Sequence, residues 1–174
     1  MRLTLTLLGT AAILMYALFG AIIMNDWAVT AASEESLEQT IATMNAAGQP
    51  YSAVPGYVFA GIGMLLALGW ATLTLHPRER LPAWADVTMW ASILAFGAPA
   101  YFFGSFGNLN SVGDTYYDWN SEAAFALEAP LYMVSGVAAV LAIVCLLAAA
   151  TRAILNARRR DSSACAESSA PVHG

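Results

Sequence analysis

Residues 76–83, HPRERLPA, form a short charged hinge between two long apolar segments. The hinge holds Arg78 and Arg80, two of the seven basic residues of a chain that contains no lysine. Because a connection this short leaves no room for a separate domain, we expect the helices on either side to form an antiparallel hairpin.

The chain contains four apolar runs, two before the hinge and two after it: residues 3–24, 54–75, 85–106 and 123–150. Its hydrophobic content is 59%, its mean hydropathy is +0.59, and only 11% of its residues are charged. Each run exceeds the ~20 residues that a helix needs to cross a bilayer, where backbone groups must be hydrogen-bonded within the segment. The sequence therefore predicts an all-α integral membrane bundle of four transmembrane helices.

Acidic and basic residues fall on opposite sides of these spans. All the basic residues lie at the N-terminus, in the hinge or after the fourth span: Arg2, Arg78, Arg80, Arg152, Arg158, Arg159 and Arg160. The other two loops hold only acids: Asp26, Glu34, Glu35, Glu38, Asp114, Asp118, Glu122 and Glu128. By the positive-inside bias, we expect a multi-pass protein of the cell membrane with both termini in the cytoplasm.

This pattern predicts one transmembrane domain over residues 1–151 and a polar, disordered cytoplasmic tail over residues 152–174. The first run also resembles a signal peptide, since Arg2 precedes it and VTA follows at 29–31. We expect an uncleaved span, because its apolar length exceeds the about 7–15 residues of a signal-peptide core. Cleavage would leave three transmembrane helices, and their orientation in the membrane would be unchanged.

The first outer loop contains a predicted short amphipathic helix within residues 33–47, SEESLEQTIATMNAA. Its apolar residues Leu37, Ile41 and Met44 recur at helical spacing, and Ser36 with Gln39 is compatible with a capping box. We expect this helix to lie against the outer membrane surface or on the bundle.

Small residues recur at helical spacing in the second and fourth spans, which is typical of membrane helices that approach each other closely. These predicted helix-packing faces contain Gly56, Ala60, Gly63 and Ala67 in the second span and Ser135, Ala138 and Ala142 in the fourth.

Glu128 is the candidate functional acid within the membrane. It lies seven residues before Ser135, on the face that is predicted to meet the other helices. Acids at membrane depth are costly and often functional, although a boundary acid in contact with water is the more common situation. Pro99, in the third span, is expected to kink its helix.

Three further acids, Asp114, Asp118 and Glu122, recur at four-residue spacing in the second outer loop. A helical extension would align their carboxylates as a weak site for a hard cation such as Ca²⁺. A solvated acidic loop is the more common explanation, and the segment does not match the EF-hand pattern. We therefore expect no bound metal.

The residues that catalysis usually requires are missing from the outer loops. Both histidines, His76 and His173, lie on the inner side, and Cys145 and Cys165 do not have metal-ligand spacing. We therefore expect a non-enzymatic protein without a cofactor, an accessory, assembly or interaction subunit of a larger membrane complex.

The expected partners are membrane lipid and another membrane or extracytoplasmic protein that meets the acidic outer face, and not nucleic acid. A homo-oligomer is compatible with the sequence. The alternative is a small oligomeric transporter or channel component that uses Glu128 and the Pro99 kink, since one alanine-packed bundle has little room for a pore.

Overall fold

The computed structural model describes residues 2–76 and 81–168, with side chains for residues 3–76 and 81–158. Within these ranges the regular structure is entirely helical. The helices are α1 (Arg2–Ile22), a π-helical turn (Ile23–Trp27), α2 (Ala28–Ser33), α3 (Leu37–Ala46), α4 (Val54–Leu75), α5 (Ala83–Ala95), α6 (Gly97–Thr115) and α7 (Ser121–Ser168). The hinge arginines and residues 169–174 of the predicted tail lie outside the described residues.

Four helical segments of the described chain are long and apolar enough to cross a membrane: Leu3–Ser33, Val54–Leu75, Ala83–Thr115 and Ser121–Arg158. They match the four predicted spans in number and order. The all-α prediction is confirmed over the described residues.

The first helical segment is longer than the sequence predicts. It was expected to end at Met24, but it continues through the π-helical turn and α2 to Ser33. A π-helical turn changes the hydrogen-bonding register and leaves carbonyl groups for other donors. The Thr30 hydroxyl donates to the Asp26 carbonyl at 3.0 Å, and the Tyr51 hydroxyl donates to the Asn25 carbonyl at 2.6 Å. Asn25 and Asp26 therefore belong to the helix and not to a loop.

The third segment is interrupted at Phe96, between α5 and α6. Pro99 is the third residue of α6, where a missing amide hydrogen costs little, but its ring disfavours a regular helix at the carbonyl of Ala95. The predicted kink thus appears as a break on the N-terminal side of the proline. The segment also runs to Thr115, beyond the expected end at residue 106.

The fourth segment, α7, begins two residues before the expected start and continues to Ser168. Over residues 152–168 the structure is helical where the sequence predicts a disordered tail. Alanine, leucine and arginine in residues 152–160 are good helix formers, and they extend a helix that is already nucleated.

The small residues predicted for helix packing lie where two pairs of helices meet. On α4, Gly56 and Ala67 are buried, and Ala60 and Gly63 are half-buried. A Cβ atom on Gly63 would overlap the Cβ of Ala17 on α1, so these two helices come close at this point. On α7, Ser135, Ala138 and Ala142 are buried, and α7 packs along α5.

The helix α3 lies in the loop between α2 and α4. Its capping box is formed, because Ser36 Oγ accepts from the Gln39 amide and Gln39 Oε1 accepts from the Ser36 amide, each at 3.4 Å. Thr40 and Met44 are fully buried, and α3 contacts α2 and α6. Part of this helix is therefore packed on the bundle.

We expect Gly63→Ala to destabilise the protein, because the added methyl group has no room against Ala17. Overpacking of this kind costs about 1–3 kcal/mol. Gly61→Ala is the matched control, since no atom lies within 4 Å of a Cβ atom placed there. Thermal unfolding in detergent should show a lower Tm for Gly63→Ala and an unchanged or higher Tm for Gly61→Ala. Equal shifts would contradict close packing of α1 on α4.

Candidate functional site

Glu128 is a buried acid in the first part of α7, with 6% of its surface exposed. Tyr101 of α6 is fully buried beside it, and its hydroxyl donates to Glu128 Oε1 at 3.0 Å. The seven-residue step from Ser135 places Glu128 on the bundle-facing side of α7. The side chain faces α6 there.

Glu128 lines a cleft of about 690 Å³ between α6 and α7, called here the Glu128 cleft. Its walls are mainly aromatic: Phe102, Phe106, Trp119, Phe125 and Tyr132. Asn110 and Asp114 also line it, and the Asn110 amide donates to Asp114 Oδ2 at 3.2 Å. The cleft therefore combines two carboxyl groups with a largely apolar lining.

The break at Phe96 accounts for the existence of the cleft. Before the break, α5 packs extensively along α7. After it, α6 makes fewer contacts with α7 than α5 does, and it also lies against α2, α3 and α4. The outer part of the third segment thus diverges from the fourth, and the gap opens beside Glu128.

A series of aromatic contacts holds Tyr101 in place. Its ring packs edge-on against Phe59 of α4 and Tyr132 of α7, with ring centroids 6.1 and 5.9 Å apart. Phe59 in turn contacts Tyr16 of α1 at 6.1 Å. Edge-to-face geometry is favoured for aromatic pairs, so the hydroxyl that reaches Glu128 belongs to a fixed ring.

A second polar connection links α1, α5 and α7 below the cleft. Tyr16 and Ser135 hydroxyl oxygens lie 2.9 Å apart, and Ser135 Oγ donates to the Leu94 carbonyl at 2.7 Å. Because serine has a single hydroxyl hydrogen, Tyr16 must be the donor to Ser135. The Tyr16 ring passes over Gly97, where a Cβ atom would overlap it.

Hydrogen bonds also join the two loops that carry the acids. The backbone amide of Asn120 donates to the Ala32 carbonyl at 2.7 Å, and its side-chain amide donates to Glu34 Oε1 at 2.8 Å. The Tyr116 hydroxyl donates to Glu35 Oε2 at 2.8 Å. Burial, together with this carboxylate, raises the pKa of Tyr116, so it remains a donor at physiological pH.

The three acids of the predicted cation site lie on different elements. Asp114 is on α6, Asp118 is in the following turn, and Glu122 is in the first turn of α7. The helical alignment on which the prediction rests is absent, because α6 ends at Thr115. Among the side chains described, those of residues 3–76 and 81–158, no group of three His, Cys, Asp or Glu is arranged to hold a metal ion.

Sequence reasoning identified Glu128 but missed its surroundings. Tyrosine and phenylalanine near the end of a span are expected from their preference for the membrane interface alone, so the sequence does not mark Tyr101 and Phe102 as neighbours of Glu128. Asn108 is also buried, and its side chain accepts from the Ser52 backbone amide at 3.0 Å and donates to the Ser52 carbonyl at 2.9 Å. No local signal marks these contacts.

No protein-family model, curated protein or solved structure matches this chain.

We expect Tyr101→Phe to destabilise the protein, because it leaves a buried carboxyl oxygen without its donor. Such a loss costs about 1–3 kcal/mol. Tyr57→Phe is the control, since that side chain is 71% exposed on α4. Unfolding in mixed micelles with increasing denaturing detergent measures both changes. Equal stability of Tyr101→Phe and the native protein would show that the Tyr101–Glu128 bond does not stabilise the fold.

Proposed function

We propose that the protein is an integral protein of the cell membrane that spans the bilayer four times, with both termini in the cytoplasm. The four apolar helical segments support this proposal. Large apolar side chains around them are exposed, among them Leu65, Phe103 and Val137 at 70, 78 and 70%. Contact with lipid hydrocarbon chains is favourable for such side chains, whereas contact with water is not. The arginine distribution supplies the orientation.

We further propose that the protein is a non-enzymatic accessory or interaction subunit whose acidic outer face binds a positively charged partner. The observation that carries this proposal is the absence of any basic residue from residues 25–53 and 107–122, which hold the exposed acids Glu34, Glu35, Glu38, Asp114, Asp118 and Glu122. The hydrogen bonds from Asn120 to Glu34 and from Tyr116 to Glu35 support it, because they join both loops into one face. A surface of one charge attracts partners of the opposite charge and speeds their association.

The helix α3 extends this face. Glu38 is exposed in its first turn, while Thr40 and Met44 are buried on the opposite side. We place α3 at the outer membrane surface, where its acids would face the aqueous phase. A partner with several lysine or arginine side chains fits this surface better than a neutral one.

A small oligomeric transporter or channel component is the second candidate. It is favoured by the position of Glu128, which lines the cleft opened by the helix break at Phe96. This candidate requires association of several copies, because the small residues of α4 and α7 let their helices pack closely. A strictly monomeric protein in lipid nanodiscs would exclude it.

Membrane topology can be tested by cysteine labelling in a variant without Cys145 and Cys165. Tyr117→Cys introduces a thiol at a position that is 98% exposed in the second outer loop. We expect a membrane-impermeant maleimide to label it in intact cells. Ala83→Cys, at the exposed start of α5, should react only after the cells are permeabilised. The reverse pattern would invert the proposed orientation.

Binding to a basic partner should weaken steeply as salt increases, because exposed charges are screened beyond the Debye length, ~8 Å at physiological ionic strength. The affinity of an oligo-arginine peptide for protein-loaded nanodiscs, measured at increasing salt, tests this expectation. The triple variant Glu38→Gln, Asp118→Asn and Glu122→Gln removes exposed acids and should weaken binding by about three- to 150-fold at low salt, from the ~0.2–1 kcal/mol of each exposed ion pair.

An oligo-glutamate peptide of equal length serves as the control and should not bind. Salt-insensitive association of oligo-arginine, or equal binding by the triple variant, would contradict the acidic-face proposal.

A further inference from the structure

Glu128 has no positively charged partner among the described residues. The Tyr101 hydroxyl is the single group in this part of the chain that donates to its carboxyl group. The distance from Glu128 to Arg152 along α7 is about 36 Å at 1.5 Å per residue. Arg152 and Arg158, the arginines of α7 whose side chains are described, are therefore too far away to pair with it. A buried carboxylate in such surroundings requires a counter-charge or a proton.

Aromatic residues line the same cleft as Glu128 and flank it along α7. Phe125 precedes Glu128 by three residues and Tyr132 follows it by four, so all three share one side of α7. The two rings are nearly parallel, with centroids 6.3 Å apart and an interplanar angle of 22°. Phe102, Phe106 and Trp119 form the opposite wall of the cleft. Aromatic faces attract cations through their quadrupoles.

The dimensions and lining of the cleft indicate what kind of cation would fit. A volume of about 690 Å³ lies within the range of small-molecule sites and far exceeds that of one metal ion. Hard metal ions take six to eight oxygen ligands, whereas the carboxyl groups in this cleft are those of Glu128 and Asp114. The chemistry therefore favours a charged group within an apolar molecule.

We propose that the Glu128 cleft binds a monovalent lipophilic organic cation, such as a quaternary ammonium or phosphonium compound. Glu128 supplies the counter-charge, and Phe125, Tyr132 and Trp119 surround the cationic group. Asp114, hydrogen-bonded to Asn110 in the same lining, adds negative potential. This site is separate from the acidic outer face, since Glu38, Asp118 and Glu122 do not line it.

Tetraphenylphosphonium is a suitable probe, with tetraphenylborate as an anion of similar shape. Equilibrium dialysis against protein-loaded and empty nanodiscs would measure binding of each. We expect saturable binding of the cation and none of the anion. Glu128→Gln keeps an oxygen that can accept from Tyr101 and should weaken binding at least tenfold. Glu122→Gln removes the same charge two turns earlier on α7 and should bind like the native protein.

Phe125→Ala provides a second variant that leaves Glu128 in place. It should weaken binding about three- to tenfold through loss of one cation–π contact. Phe103→Ala is its control, because Phe103 is 78% exposed and does not line the cleft. Far-ultraviolet circular dichroism and Tm values would establish that each variant is folded.

The organic cation could be a lipid headgroup or a free molecule, and changing the lipid composition distinguishes the two. Weaker Glu128-dependent binding in nanodiscs with choline headgroups than in those with glycerol headgroups would assign the site to the lipid headgroup. Equal binding in both would assign it to a free organic cation.

Three outcomes would overturn the proposal: no saturable binding to the native protein, equal affinity of Glu128→Gln and Glu122→Gln, or equal binding of the borate. Each is independent of the oligo-arginine result, so the cleft and the acidic face can fail separately.

Discussion

The ring of Pro99, which would clash with the carbonyl four residues earlier in a regular helix, is the constraint on which the outer half of the structure depends. In a regular helix the Ala95 carbonyl would point at the Pro99 ring. The third segment is interrupted at Phe96, between these two residues. Below the break α5 lies along α7, and above it α6 turns toward α2, α3 and α4. The separation of α6 from α7 creates the cleft, and Gly97 at the break gives Tyr16 room to reach Ser135.

Polar contacts between helices then determine how the segments are placed. Tyr16 connects α1 to α7, Tyr101 connects α6 to α7, and Asn108 connects α6 to the loop before α4. Each of these side chains is buried. In an apolar environment the hydrophobic effect does not favour one helix pairing over another, so close packing and hydrogen bonds select the arrangement. The close approach of Gly63 on α4 to Ala17 on α1 is one such packing contact.

The same arrangement leaves the protein with two distinct negatively charged regions. One is the solvent-facing surface formed by α3 and the two outer loops, where the carboxylates are exposed and screened by salt. The other is the Glu128 cleft, where one carboxyl group is 6% exposed and enclosed by aromatic rings. A charge interacts more strongly where water is excluded, which is why we propose a small cation for the cleft and a large basic partner for the surface.

The number and order of the apolar helices could be predicted from the sequence alone. These features depend on composition and on the 3.6-residue helical period, and both are local properties of each segment. The capping box of α3 was predictable for the same reason. The ends of the first and third segments were not, because Ala28, Val29 and Val112 are buried by contacts with distant helices.

Only the tertiary structure decided which side chains meet at the cleft. Tyr101 and Glu128 are 27 residues apart, and Tyr16 and Ser135 are 119 apart. Their pairing depends on which helices are neighbours and on the direction that α6 takes after the break. Local sequence contains neither piece of information, since a tyrosine at that depth has the same pattern whether it faces lipid, water or a carboxyl group.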